Sequence, residues 1–302
     1  MKSYFQNKYI VILFAFFVVS SCKPEKDQKQ EKQAKSNVSE EEIDTSTVLL
    51  KYNETLFILP SPHQITLQIE KNNIDFNKNL LTPVDSYKRY NTNFKQALNI
   101  GVYGSDLGYM NAYEQGSDGI SYLSVIKRLS DDLGIRGAVD GHKFQKIEEN
   151  MKDQDSLIYY MSSIYQSIDS YLKRNNRREI GALIIAGGWI ESVYLLSHAA
   201  VESNNKTLIN RLGEQKQPLN NLIELLSSYY YDSEKYTNLI DSLVDLAYEY
   251  DGIISNYYYK EPQVYPEKQL TAIQSETNMV ISEYHLRSIS KKIEKIRNKI
   301  IE

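Results

Sequence analysis

Acidic residues and a histidine recur at helical spacing in two glycine-rich segments of the chain. Asp106 and Glu114 lie in the first segment, and Trp189, Glu191 and His198 lie in the second. Glu191 and His198 are seven residues apart, which places both on one face of a helix. Carboxylate and imidazole groups from two helices could hold a metal ion or serve as acid and base in a hydrolase. These five residues form the candidate ligand or packing site.

The spacing of these residues does not match a known catalytic motif. The sequence contains neither Glu-x-x-His nor His-Glu-x-x-His, and Gly-x-Ser-x-Gly is also absent. With one cysteine in the whole chain, a zinc site built from several thiolates is excluded. We therefore predict no metal and no cofactor, and expect a non-enzymatic protein. A metal-dependent or other hydrolase that uses acidic and histidine residues of the helical core is the alternative.

The single cysteine follows an apolar N-terminal segment. Two lysines, an uninterrupted apolar run from Tyr9 to Val19 and two serines precede it, which is the layout of a secretory signal. The run is shorter than the roughly 20 apolar residues that span a bilayer. Val19-Ser20-Ser21-Cys22 resembles the lipobox of bacterial lipoproteins. The resemblance implies that residues 1–21 are removed as a signal peptide and that Cys22 then carries the lipid.

The segment after the cysteine predicts how the protein is held at the membrane. Residues 22–47 are dominated by Lys, Glu and Gln, so we expect a disordered tether behind the lipidated Cys22. In bacterial lipoproteins, an aspartate directly after the modified cysteine retains the protein in the inner membrane. Lys23 stands at that position here. The resemblance therefore implies the outer membrane, with the domain on its periplasmic face or at the cell surface. The formal net charge of −4 and the absence of a basic block argue against nucleic acid. The predicted partners are the membrane, through this lipid, and an envelope protein.

Apolar residues recur at intervals of three and four through most of residues 48–302. We predict an all-α domain there, a multi-helix bundle of about nine helices with at most one short N-terminal hairpin, at residues 48–59. Ten segments have helical spacing or capping signals for these roughly nine helices, at residues 62–72, 92–115, 119–133, 141–151, 154–174, 177–202, 205–213, 218–231, 233–250 and 267–301.

Two of these helices are rich in glycine, and each internal glycine costs a helix about 1 kcal/mol relative to alanine. We expect close approach of a neighbouring helix to offset this cost in helix 92–115. The pairs Ile100-Gly101 and Ile180-Gly181 can be aligned, as can Gly104 and Gly187, which raises the possibility of two pseudo-repeated bundles. Helix 177–202 is very apolar, and we expect it in the protein core rather than in a membrane.

The chain contains 25 tyrosines, and three consecutive ones occur at residues 229–231 and again at 257–259. Such clusters could form a carbohydrate or peptide surface, but we favour rings in the core and at its rim. The segments LPSPHQI, NIGVYGSDLGYMNAYEQ and AGGWIESVYL resemble those of uncharacterised helical lipoproteins from Gram-negative envelopes. That resemblance implies no activity, and a binding or scaffold lipoprotein is the function we expect.

Overall fold

The computed structural model describes residues 47–52, 55–60, 62–138, 141–150, 153–268 and 270–302. Most of these residues are helical, which confirms the predicted all-α, multi-helix fold. The ten helices are α1 (Pro62–Lys71), α2 (Asn93–Ala112), α3 (Gly116–Asp132), α4 (Gly141–Glu149), α5 (Gln154–Arg174), α6 (Arg178–Ser203), α7 (Lys206–Gly213), α8 (Lys216–Ser227), α9 (Glu234–Asp251) and α10 (Glu283–Ile301). The strands are β1 (Thr47–Tyr52), β2 (Thr55–Pro60), β3 (Ile254–Tyr258), β4 (Gln263–Tyr265), β5 (Leu270–Ala272) and β6 (Glu276–Val280).

The N-terminal hairpin is present where the sequence predicted it. β1 and β2 pair antiparallel, with Thr47 opposite Pro60 and Tyr52 opposite Thr55. The signal peptide, Cys22 and the tether up to residue 46 lie outside the described residues.

Two glycines allow α2 and α6 to cross in close contact at the centre of the protein. A β-carbon on Gly187 would overlap the Leu98 carbonyl oxygen and lie 2.7 Å from its carbon. A β-carbon on Gly101 would overlap the Ile184 carbonyl oxygen and lie 2.5 Å from the Gly188 nitrogen. Only a residue without a side chain fits at either position. The close helix packing expected from the glycine spacing is thus confirmed.

The ten helices share one hydrophobic core, to which each contributes buried apolar side chains. The described residues are therefore not divided into two bundles. Where α2 and α6 cross, Gly101 lies against Gly187. The internal sequence alignment had instead matched Gly101 with Gly181, and Gly104 with Gly187.

Helix α6 is the one helix in the described part of the chain that is long and apolar enough to cross a membrane. However, 89% of its apolar window is buried inside the protein. Its lack of a polar face follows from this position, because neighbouring helices surround it. The burial agrees with the expectation that α6 is a core helix.

The prediction of a helix over residues 267–301 is wrong in its first half. β3 pairs antiparallel with β6, and β4 pairs with β5, so the chain forms a long bent hairpin before α10 begins at Glu283. The structure thus contains more strands than the single predicted hairpin. Leu270, Ile273 and Val280, which would lie on the apolar stripe of such a helix, are exposed. The buried stripe of α10 begins only at Leu286.

Candidate functional site

Two of the candidate residues meet in the core, together with an arginine that the sequence analysis did not select. Asp106 of α2 and Glu191 of α6 are fully buried, and Arg297 of α10 is nearly so. Arg297 Nε donates to Glu191 Oε2 at 3.0 Å, and Arg297 Nη2 donates to Glu191 Oε1 at 3.1 Å. This is a two-pronged pairing of a guanidinium with a carboxylate, which fixes the relative orientation of both groups. We call Asp106, Glu191 and Arg297 the ionic cluster.

The segment between α1 and α2 completes the hydrogen bonding of the ionic cluster. Arg297 Nη2 also donates to the carbonyl oxygen of Leu80 at 3.0 Å and to Thr82 Oγ1 at 2.9 Å. The Thr82 backbone N–H donates to Asp106 Oδ2 at 3.0 Å. On the other side, the guanidinium carbon of Arg297 lies 4.6 Å from the ring centre of Tyr194. The cluster therefore joins α2, α6, α10 and the 80–82 segment.

Burial and the neighbouring charges favour protonation of Asp106 over protonation of Glu191 in this cluster. Burial raises the pKa of Asp106 well above its usual value, and the nearby charge of Glu191 raises it further. Burial also raises the pKa of Glu191, but the adjacent Arg297 charge opposes this rise. A proton on Asp106 would be directed to the neighbouring Glu191 carboxylate, which in turn favours the ionised form of Glu191. A neutral Asp106 beside an ionised Glu191–Arg297 pair leaves no net charge in the core, which is the least costly state for buried groups.

The other three candidates are placed apart from this cluster. Trp189 is buried, and its indole N–H donates to Gln215 Oε1 at 3.3 Å, so it is a packing residue. His198 is half-buried with its ring edge-on to Tyr194, and burial lowers its pKa. Glu114 had been placed on the helix of residues 92–115. Because α2 ends at Ala112, Glu114 instead lies beyond the helix, exposed and with a φ of 57°.

The arrangement of the ionic cluster favours a structural role over a catalytic one. Both oxygens of Glu191 accept hydrogen bonds from Arg297. Across the described ranges, no three His, Cys, Asp or Glu side chains converge in a way that could hold a metal ion. Asp106 and Glu191 are 0% exposed, so a substrate could reach them only if the helices separated.

The burial of Arg297 could have been predicted from its position in the sequence. Arg297 lies on the same face of α10 as Ile293 and Ile300, four residues after the first and three before the second. A single charged residue on the buried face of a helix requires an opposite charge in the core. Lys291, Lys295 and Lys299 of the same helix are exposed, so basic residues in this segment do not by themselves identify the buried one.

The second candidate site is the bent hairpin of residues 254–280, which we call the β-ribbon. Its large apolar side chains lie in water: the exposed fraction is 60% for Ile254, 63% for Tyr257, 70% for Tyr259 and 76% for Ile273. The expectation that tyrosines 257–259 lie in or beside the core is therefore wrong. For the cluster at residues 229–231 the expectation is confirmed for Tyr229 and Tyr230, which pack against the core. Tyr231 is exposed.

The β-ribbon rests on the helical body through one of its two edges. Met279 of β6 lies against Gly213 at the end of α7, where a β-carbon would come within 2.9 Å of the methionine side chain. Asn278 Oδ1, in the same strand, accepts a hydrogen bond from Asn210 Nδ2 at 3.3 Å. β3 lies on the opposite side of the ribbon, and all five of its residues are exposed. The ribbon therefore presents β3 outward and β6 inward.

The chain matches no protein-family model, no curated protein and no solved structure. A function for it therefore rests on its own residues, of which the ionic cluster and the β-ribbon are the two distinctive groups.

Proposed function

We propose that the protein is a lipid-anchored protein of the bacterial outer membrane that acts as a non-enzymatic binding or scaffold protein, with the β-ribbon as its binding surface. The observation that carries this proposal is the group of exposed apolar side chains on the ribbon. Helical bundles bury most such side chains, and the exposed ones in the described helices are scattered singly, at Ile120, Tyr159, Tyr248 and Tyr284. The ribbon therefore departs from the rest of the molecule.

Exposure of this kind is costly in water unless a partner covers the surface. Burying apolar surface stabilises a protein by roughly 25 cal/mol per Å². Contiguous apolar patches on a monomer are usually limited to a few hundred Å², and larger ones mark interaction sites. Tyrosine suits such a surface because its ring gives a large contact area while its hydroxyl can remain hydrated. Tyr257 and Tyr258 are consecutive residues of β3, so their rings point to opposite faces of the ribbon and both faces offer such contacts.

The proposed anchor is Cys22, through its resemblance to the lipobox cysteine. Residues 22–46 would act as the tether between the lipid and the body, which begins with β1 at Thr47 rather than at residue 48. Flexible-coil scaling gives a chain of this length a root-mean-square reach of roughly 25–30 Å. The ribbon could then meet a partner clear of the lipid headgroups.

The hydrolase alternative draws no support from the ionic cluster. Its two carboxylates are the most deeply buried acidic groups of the described chain, and one is bound on both oxygens by Arg297. A general acid or base must instead approach the substrate within hydrogen-bond distance.

Replacing Cys22 with serine should release a folded protein from the membrane. The hydroxyl cannot take the thioether-linked lipid, and the net negative charge of the chain gives little attraction to anionic lipid. Fractionation of cells followed by circular dichroism of the soluble form would check this. A Cys22→Ser protein that remains in the membrane fraction would show that the attachment is not through Cys22.

Serine substitutions on the β-ribbon should remove the partner without changing the fold. Tyr257→Ser and Ile273→Ser replace side chains that are largely exposed, so the free energy of unfolding should change by less than about 0.5 kcal/mol. The measurement is covalent crosslinking in intact envelopes, followed by purification of the protein and mass spectrometry of the species attached to it.

Tyr231→Ser is the matched control, because Tyr231 is 93% exposed but lies outside the ribbon. It should leave the crosslinked species unchanged. If the Tyr257→Ser and Ile273→Ser proteins retain every crosslinked species that the wild type forms, the ribbon is not the binding surface.

A further inference from the structure

β3 is an open strand edge. In the described part of the chain its only strand neighbour is β6, on one side. In an antiparallel pair, alternate residues of a strand direct their N–H and C=O groups to the partner, and the others direct them away. The outward groups of β3 thus form a ready template for a further strand, while the far side of β6 is occupied by α7 through Met279 and Asn278.

The open edge also lacks the usual protection against strand addition. Edge strands of soluble proteins commonly carry charged residues or proline, or lie under a helix or loop. β3 reads Ile-Ser-Asn-Tyr-Tyr, with no charge and no proline, and all five residues are exposed. Such an edge accepts another strand without desolvating a charge.

We propose that the occupant of this edge is β3 of a second copy of the chain, paired antiparallel about a two-fold axis at Asn256. This inference rests on the proposed function of the β-ribbon as a binding surface and specifies its partner. The result would be a four-stranded sheet in the order β6, β3, β3 and β6 across the two copies. A two-fold contact of this kind uses the same surface on both subunits and closes the open edge of each.

The side chains of β3 are self-complementary in this register. Ile254 of one copy lies opposite Tyr258 of the other, and Ser255 lies opposite Tyr257. Pairs of an aromatic with a β-branched residue are among the stabilising cross-strand pairs. Asn256 faces its own equivalent, and two amides can donate to and accept from each other. No like charges meet along the strand.

The charged residues nearest to β3 are neutralised within their own copy. Asp251, the last residue of α9, pairs with Lys216, and Lys260 pairs with Glu276. The antiparallel register therefore rests on the complementarity of the five uncharged residues of β3.

A strand partner accounts for the open edge better than a lipid surface does. Hydrocarbon cannot accept hydrogen bonds from the outward N–H groups of β3, so burial of this edge in a bilayer would leave them unsatisfied. A second strand satisfies them.

Charge reversal at the proposed axis tests the pairing with the full-length lipidated protein in detergent. Asn256→Lys and Asn256→Asp each place like charges face to face, so each variant alone should dissociate about tenfold more readily than the wild type. An equal mixture of the two should associate again, because lysine then faces aspartate. Native mass spectrometry would resolve the homodimers from the mixed dimer. Thr271→Lys, at an exposed position on β5, is the control and should dimerise like the wild type.

A disulfide tests the register directly. Asn256→Cys should form a covalent dimer on mild oxidation, whereas Thr271→Cys and the wild type should not. Mixing Ile254→Cys with Tyr258→Cys should give a covalent dimer more readily than either variant alone.

Unchanged association of both charge variants, or a wild type that is monomeric throughout, would overturn the self-pairing. If a monomeric protein still crosslinks to another envelope protein through Tyr257 and Ile273, the proposed function stands and its partner is a different chain. Ribbon-dependent binding of the monomer to phospholipid vesicles would instead assign the surface to lipid.

Discussion

Gly187→Ala should destabilise the protein by about 2–3 kcal/mol, although alanine is the better helix former. The added β-carbon would overlap the carbonyl oxygen of Leu98 and lie 2.7 Å and 3.0 Å from its carbonyl and α carbons. These are backbone atoms of α2, so no side-chain rotation can relieve the overlap. α2 and α6 must move apart, and the packing of core residues around their crossing must loosen. Urea unfolding followed by circular dichroism at 222 nm would measure the change.

Gly181→Ala is the control within the same helix. A β-carbon at Gly181 would lie 3.5 Å from Leu172 Cδ1, an ordinary van der Waals distance. The substitution should stabilise the protein by about 0.5–1 kcal/mol through helix propensity. If Gly187→Ala is equally stabilising, the two helices do not cross as closely as the structure has them.

The helices could be predicted because their signals are local. Apolar residues at intervals of three and four define the buried face of each one, and capping residues mark where they begin. Thr92 accepts a hydrogen bond from the Lys95 backbone N–H at the start of α2, and Asn205 accepts from the Thr207 and Leu208 N–H groups at the start of α7. Such contacts span a few residues, so a single sequence contains them.

The β-ribbon was missed because a few of its apolar residues also fit a helical period. Leu270, Ile273, Val280 and Tyr284 are spaced as one stripe, and the pattern continues into the true helix α10. Predicting a helix from apolar spacing assumes that the apolar side chains are buried. In the β-ribbon these side chains are exposed. The tyrosines, prolines and β-branched residues between positions 254 and 280 were the competing signal.

The sequence predicted two of the three residues of the ionic cluster, but not the contact between them and Arg297. Asp106 and Glu191 were recognised as acidic residues in apolar helices, which is a property of each segment alone. Their meeting with Arg297 depends on how α2, α6 and α10 pack, and on the approach of Leu80 and Thr82 from a loop. The sequence of α10 indicates that Arg297 is buried, but it does not identify Glu191, 106 residues away, as its partner.

Arg297→Met should destabilise the protein by about 3–5 kcal/mol at pH 8, because it leaves the Glu191 carboxylate buried without its partner. Methionine keeps much of the volume, so the loss is chiefly electrostatic. Without the arginine, the folded-state pKa of Glu191 should rise further above its unfolded value. A group with a raised pKa contributes its stability at low pH and loses it as the pH rises through the folded pKa. The variant should therefore be closer to the wild type at pH 5 than at pH 8 in urea unfolding, and adding Glu191→Gln should recover part of the loss.

Asp106→Asn is the matched change at the other carboxyl group, and it should cost little, because the raised pKa of Asp106 favours its neutral form. Asparagine offers a carbonyl oxygen for the Thr82 N–H and an amide donor in place of the carboxyl proton. Since burial and Glu191 raise the pKa of Asp106, the wild type loses stability as the pH rises through that pKa, and the variant does not. At alkaline pH the free energy of unfolding of Asp106→Asn should therefore increase relative to that of the wild type. If Asp106→Asn is instead as damaging as Arg297→Met at pH 8, Asp106 is ionised in the folded protein. Arg297 would then serve both carboxylates rather than Glu191 alone.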